Sequence, residues 1–74
     1  SICRLRSNRA GLFLPAAAIG DIVEDGTEIG TVIDPATGSI REVITSPVKG
    51  KVIAVRIQPV VSAGVMVARL CEDK

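Results

Sequence analysis

Ile19-Gly20-Asp21-Ile22-Val23-Glu24-Asp25-Gly26-Thr27-Glu28-Ile29-Gly30-Thr31-Val32 is nearly repeated 38 residues later. The second copy is Ile57-Gln58-Pro59-Val60-Val61-Ser62-Ala63-Gly64-Val65-Met66-Val67-Ala68-Arg69-Leu70. Apolar residues coincide at Ile19/Ile57, Ile22/Val60, Val23/Val61, Ile29/Val67 and Val32/Leu70, and Gly26 meets Gly64. A doubled unit of this size predicts two interlocking halves of one small domain spanning residues 1–74. Val and Ile dominate the apolar residues, while Phe13 is the only aromatic. Their stiff, branched side chains suit a pleated sheet, so the fold class is all-β.

Turn signals divide the chain into short strands at the spacing of a sandwich or barrel. Ile2 to Leu5 reads as a first strand and residues 7–11 as a loop. Leu12-Phe13-Leu14 is a short apolar run ended by Pro15. Ala16-Ala17-Ala18 is confined between Pro15 and Gly20, too short for a helix to nucleate, and is expected to be a strand or an extended segment. Glu24-Asp25-Gly26 and Asp34-Pro35-Ala36-Thr37-Gly38 are turns. Strands are expected over Ile29 to Ile33, Ile40 to Ile44, Val52 to Ile57 and Val65 to Leu70, with Ile53, Val55 and Ile57 on one face.

Nine basic and eight acidic side chains nearly cancel. Neither a basic excess nor a set of stacking aromatics is present, so no nucleic-acid partner is expected. No apolar run is long enough for a transmembrane helix, and no membrane partner is expected. Cys3 and Cys71 are too few for a disulfide framework and point to a reducing, cytoplasmic setting; whether they bond depends on how the end strands pair. The chain opens on a strand-like segment without an initiator Met, which reads as a piece excised from a longer protein.

Histidine is absent. That removes imidazole metal sites, most nucleophilic triads and His phosphocarrier chemistry. The two cysteines lack a local metal-ligand spacing. Asp21, Glu24, Asp25 and Glu28 crowd one turn but fit no calcium loop, so they read as a solvated turn. Gly26 and Gly30 lack the Lys-Ser/Thr and helix of a phosphate loop. Lys49 and Lys51 flank Gly50 and read as solvated turn charges. No catalytic, cofactor-binding or metal-binding residue is predicted.

The doubled glycine pattern, joined by Ser46-Pro47-Val48-Lys49-Gly50-Lys51-Val52, resembles the biotinyl/lipoyl-domain superfamily. That resemblance implies a barrel-sandwich hybrid of two pseudo-twofold-related halves. Carriers of that family bear an acylated lysine at the tip of the hairpin after the first half. Here the tip is Asp34 to Gly38, and Ala36 or Thr37 stands where the lysine is required. The lipoyl-like module of periplasmic efflux adaptors is interrupted by a helical hairpin at this connection, and none fits into five residues.

A closer resemblance is to the C-terminal domain of the succinylglutamate desuccinylase/aspartoacylase family, zinc-dependent amide hydrolases related to carboxypeptidases. It rests on Gly11-Leu12-Phe13-Leu14-Pro15, Gly20-Asp21-Ile22-Val23-Glu24-Asp25-Gly26, Val32-Ile33-Asp34-Pro35-Ala36-Thr37-Gly38 and Glu42-Val43-Ile44-Thr45-Ser46-Pro47-Val48-Lys49-Gly50, in that order. In that family two histidines and a glutamate bind zinc, and a further glutamate is catalytic; all lie in a preceding α/β domain. The resemblance therefore implies a non-catalytic accessory domain, without a cofactor of its own, packed on the catalytic domain of its own chain. The alternative is a biotinyl/lipoyl-like carrier or binding module that lacks the modified lysine. The expected packing surface is Arg9 to Phe13, with Phe13 either an interface anchor or a plug in this domain's own core.

Overall fold

The apolar runs fold as strands and no helix forms; the computed structural model describes residues 1–73. The first half comprises β1 (Ile2–Arg6), β2 (Gly11–Pro15), β3 (Ile22–Val23) and β4 (Glu28–Ile33). The second comprises β5 (Ile40–Thr45), β6 (Gly50–Val55), β7 (Val60–Val61) and β8 (Met66–Glu72). All pairings are antiparallel, giving two four-stranded sheets ordered β1-β8-β6-β3 and β5-β4-β2-β7. Each sheet takes two strands from each half. Advancing every strand of the first sheet by four, cyclically, yields the order of the second. The all-β architecture of two equivalent halves is therefore the one the repeat predicts.

The halves also close each other's turns. Gly26 and Gly64 adopt φ of 91° and 88°, a region costly for any residue with a Cβ. Gly26 donates its N–H to the carbonyl of Ser46, and Ser46 donates back to Thr27 O. Gly64 donates to the carbonyl of Ser7, and Ser7 donates back to Val65 O. Among the described residues Ser7 and Ser46 are the two buried polar side chains. Their hydroxyls donate to the carbonyls of Ser62 and Val48, so the cost of burying them is offset.

Between the sheets lie Leu5, Phe13, Val23, Ile29, Val32, Ile44, Val52, Val61, Val67 and Leu70, closed by Ala17 and Ala68. In β4 and β8 the strict alternation breaks, because Ile29 and Gly30 are both buried, as are Val67 and Ala68. The cause is a matched pair of bulges. Pairing passes from Glu28↔Thr45 to Gly30↔Ile44, and from Arg6↔Met66 to Leu5↔Ala68. The extra residues, Ile29 and Val67, turn inward and are fully buried.

Two expectations are corrected, and one alternative left open is decided. Ala16 to Ala18 form a bend rather than a strand, in which Ala16 and Ala17 both donate to Ile29 O. β6 ends at Val55, and its pairing shifts between Val52 and Ala54, so Ile53, Val55 and Ile57 do not share a face. Val52 is buried instead, Val55 packs beside the core, and Ile57 is 93% exposed. Phe13 is a core plug, not an interface anchor, at 2% exposure.

The ring of Phe13 is admitted by a glycine. A Cβ on Gly30 would lie 2.5 Å from Phe13 Cε1 and 2.7 Å from Leu14 O. At the equivalent place in the other half, Val52 is smaller than Phe13 and Ala68 replaces Gly30. Volume is thus exchanged within each pair so that both layers fill. Gly30→Ala is expected to destabilise the domain by about 1–3 kcal/mol through overpacking. Adding Phe13→Val should recover part of the loss, read as a favourable coupling of roughly 0.5–3 kcal/mol in a denaturation double-mutant cycle. Additive losses would contradict this packing.

Cys3 is opposite Leu70 and Cys71 is opposite Ile2. Successive side chains point to opposite faces, so Cys3 packs beside the core while Cys71 is exposed on the outer face. The two thiols cannot bridge. Thiol labelling of the native chain should modify Cys71 quickly and Cys3 only on unfolding. Equal rates would contradict the assigned register.

Candidate functional site

In a carrier of this architecture the chemistry sits on the β4–β5 hairpin. Here that hairpin is a tied turn. Asp34 accepts the Ala36 N–H on Oδ1 at 2.8 Å, and its carbonyl accepts the Gly38 N–H at 2.7 Å. Asp34 N donates to Ser39 O at 2.8 Å. Arg41 spans outward from β5, with Nη2 3.0 Å from Asp34 Oδ2 and Nη1 2.7 Å from Ala10 O. Ala36 and Thr37 are exposed at the tip, which holds no amine to acylate.

Arg41 has a particular origin. Val32 pairs with Glu42 and Ile33 with Ile40, so Arg41 is an extra residue with no cross-strand partner. Its neighbour Glu42 accepts the backbone N–H groups of Asn8 and Arg9 and the Asn8 amide. The pair Arg41-Glu42 therefore ties the β1–β2 loop to the second half.

The remaining candidates from the sequence are dispersed. Lys49 lies in the β5–β6 connection, 4.0 Å from Glu24 Oε2, with both side chains exposed. A pair so solvated contributes little. Lys51 lies on β6 between Ile22 and Cys71. Asp21 accepts the Ala18 N–H across its own bend. Among the described residues no three His, Cys, Asp or Glu side chains gather as metal ligands, and no helix is long and apolar enough to cross a membrane. Gly26 is a turn residue and Gly30 lies beneath Phe13, so neither belongs to a phosphate loop. A cleft of about 290 Å³ is lined by Ile22, Gly50, Lys51, Cys71, Glu72 and Asp73; Lys51 stands opposite Cys71, and Glu72 accepts a hydrogen bond from Ser1.

The outer faces of the two sheets differ, and sequence reading missed this. On the β5-β4-β2-β7 sheet, Ile40, Ile33, Leu12 and Val60 form one row across all four strands. Val43, Thr31 and Leu14 form the next. Neither row contains a charge. The equivalent rows on the other sheet are Ile2, Cys71, Lys51 and Ile22, then Arg4, Arg69 and Ala54, so three charges stand beside the exposed Ile2 and Ile22. The signal was available in Leu12 and Leu14, which flank the buried Phe13 and so must face outward.

No protein-family model matches the chain, and no curated protein matches it. Solved structures do. An aspartoacylase family protein from Mesorhizobium loti is 30% identical, with a TM-score of 0.78 over 90% of this chain and 22% of that one. The ectoine utilization protein EutE (DoeB) from Ruegeria pomeroyi is 25% identical, with a TM-score of 0.84 over 92% of this chain and 21% of that one. The urea carboxylase of Kluyveromyces lactis is 28% identical, with a TM-score of 0.80 over 96% of this chain and 6% of that one. This chain spans about a fifth of the first two and far less of the third.

The Ala36 N–H, followed by the Arg41 guanidinium, holds the Asp34 carboxyl below its usual range. Because the folded value is depressed, the turn's contribution to stability is present above the unfolded Asp pKa and is lost as pH falls through the depressed one. In an NMR titration Arg41→Ala should raise the Asp34 pKa part of the way and leave the share due to Ala36. An unchanged Asp34 titration would contradict the clasp.

Proposed function

We propose that this chain is the non-catalytic accessory domain of a zinc-dependent amide hydrolase of the succinylglutamate desuccinylase/aspartoacylase type, packed on the catalytic domain of a longer chain. The observation that carries the reading is the 30% identity to the Mesorhizobium loti protein, sustained over 90% of this chain but only 22% of that one. The same body sits inside a protein of that family and leaves most of its length for other work.

The chemistry of the chain agrees with a supporting role. It has no histidine, and the carboxylates of Asp21, Asp34 and Glu42 serve turns and loops rather than a ligand set. These residues do not fit a zinc ion, which requires three or four convergent ligands. In this reading zinc and the catalytic glutamate belong to the preceding domain, and no step of hydrolysis passes through residues 1–73. What the domain supplies is a rigid body of two interlocked halves.

The alternative is a carrier-type module without its lysine, favoured by the likeness to the Kluyveromyces lactis urea carboxylase. The tied hairpin weighs against acyl carriage by such a module, because a carrier presents an amine at that tip and this chain presents Ala36 and Thr37, and leaves a binding role as its content.

The 74-residue chain should cleave no N-acyl amino acid with or without added zinc, while the longer gene product should do so and lose activity to a chelator. Turnover by the 74-residue chain itself, or a biotinyl or lipoyl adduct in its intact mass after co-expression with the ligase, would overturn the proposal.

A further inference from the structure

The outer row of the β1-β8-β6-β3 sheet sets a thiol against an amine. Ile2, Cys71, Lys51 and Ile22 stand side by side across its four strands. The equivalent row on the other sheet is Ile40, Ile33, Leu12 and Val60. The end places are aliphatic in both rows, and the fold accepts aliphatics at the central places too. Only the two central places differ, and there this sheet carries a nucleophilic sulfur and a nitrogen.

Cys71 and Lys51 are directly opposite one another, and both are exposed. Opposed residues of an antiparallel pair hold their Cβ atoms ~4.5–5.5 Å apart, and the flexible stem of a lysine carries its amine across that gap. Among the described residues Lys51 is in no ion pair and Cys71 is a free thiol, so neither group is committed elsewhere. The pair lines the cleft of about 290 Å³, together with Ile22 and the chain-end residues Glu72 and Asp73. That volume lies just below the range of pockets for drug-sized ligands, so it suits a short acyl group rather than a whole cofactor. Ile2 and Ile22, 44% and 68% exposed, give such a group an apolar border.

We infer that Cys71 and Lys51 form an acyl-relay site, which takes a short acyl group from a small thioester and leaves it as an amide on Lys51. Among side chains a thiol is the readier nucleophile toward a thioester near neutral pH. The Cys71 sulfur attacks the carbonyl, a new S–C bond forms, the old one breaks, and the departing thiol takes up the proton that Cys71 gave up. The Lys51 amine then attacks the same carbonyl. An N–C bond forms, the Cys71 S–C bond breaks, and the proton released by nitrogen returns to the sulfur. Nothing is oxidised or reduced, and the Cys71 thiol is regenerated. The second step is intramolecular, so the facing amine acts at an effective concentration that free solution does not supply. Acylation removes the one charge of this row and leaves it as apolar as its counterpart on the other sheet.

The test is incubation of the chain with the butyryl thioester of N-acetylcysteamine at neutral pH, followed by peptide mass mapping. Lys51 should be butyrylated at least about tenfold faster than it is in Cys71→Ser. It should lead Lys49 by a similar factor, because Lys49 faces Asp73 and is only a diagonal neighbour of Cys71. Lys51→Arg keeps the charge and removes the acceptor, so it should hold the butyryl group on Cys71 as a thioester that hydroxylamine removes. The lead over Lys49 should vanish in denaturant, since strand pairing alone brings the two groups together. Equal butyrylation of Lys51 with and without Cys71 would overturn the relay. So would a thioester on Cys71 of the unsubstituted chain that never reaches Lys51, or that passes first to Lys49 or the Ser1 amino group. A lead that persists in denaturant would overturn the cross-strand geometry. Each of these outcomes leaves the accessory-domain reading as it stands, because both groups of the relay lie in this chain.

Discussion

Ser46 and Ser7 each hold the glycine corner of the opposite half through a reciprocal pair of backbone hydrogen bonds, to Gly26 and Thr27 in one case and to Gly64 and Val65 in the other. The remaining structure depends on this exchange. Each corner starts a central strand, β4 or β8, with an inward bulge, and that strand pairs with strands of both halves. Half a chain would lack a partner for its corner serine and for two strands of every sheet. A domain of this length buries only ~60% of its unfolded surface, so cooperation between the halves matters more than any single contact.

Within that symmetric frame the residues diverge where packing or surface allows. Leu5/Ile44, Ser7/Ser46, Gly11/Gly50, Val23/Val61, Ile29/Val67 and Val32/Leu70 occupy equivalent places, and the backbone of Ile33 or Cys71 closes on Gly11 or Gly50 in the same way. Phe13 over Gly30 and Val52 with Ala68 solve one volume problem twice. The inside is thus nearly duplicated, while the outside differs where Leu12, Val43 and Thr31 on one sheet are matched by Lys51, Arg4 and Arg69 on the other.

Much of this was legible. The repeat of residues 19–32 at 57–70 maps onto β3–β4 and β7–β8 with the same spacing. The absence of histidine and of a lysine at the hairpin tip is read from the sequence alone. The equivalence of β1–β2 with β5–β6 was hidden because Arg41 adds one residue, shifting the spacing from 38 to 39, and the first half recovers it in the Ala16–Gly20 bend. Bulges explain the misread face of Ile53, Val55 and Ile57, since a period of two fails wherever a strand gains a residue. The role of Phe13 needed Gly30 from another strand, and the apolar outer face needed the register of four strands. Neither is a property of a local window.

The central claim is that neither half persists without the other. Native-state hydrogen exchange of the Gly26, Gly64, Ser7 and Ser46 amides tests it most directly, because these four groups are the mutual clamps. The account predicts one shared opening free energy for all four, equal to that of global unfolding and equally sensitive to denaturant. Exchange of the Gly26 and Ser46 pair through an opening that leaves the Gly64 and Ser7 pair protected would contradict it.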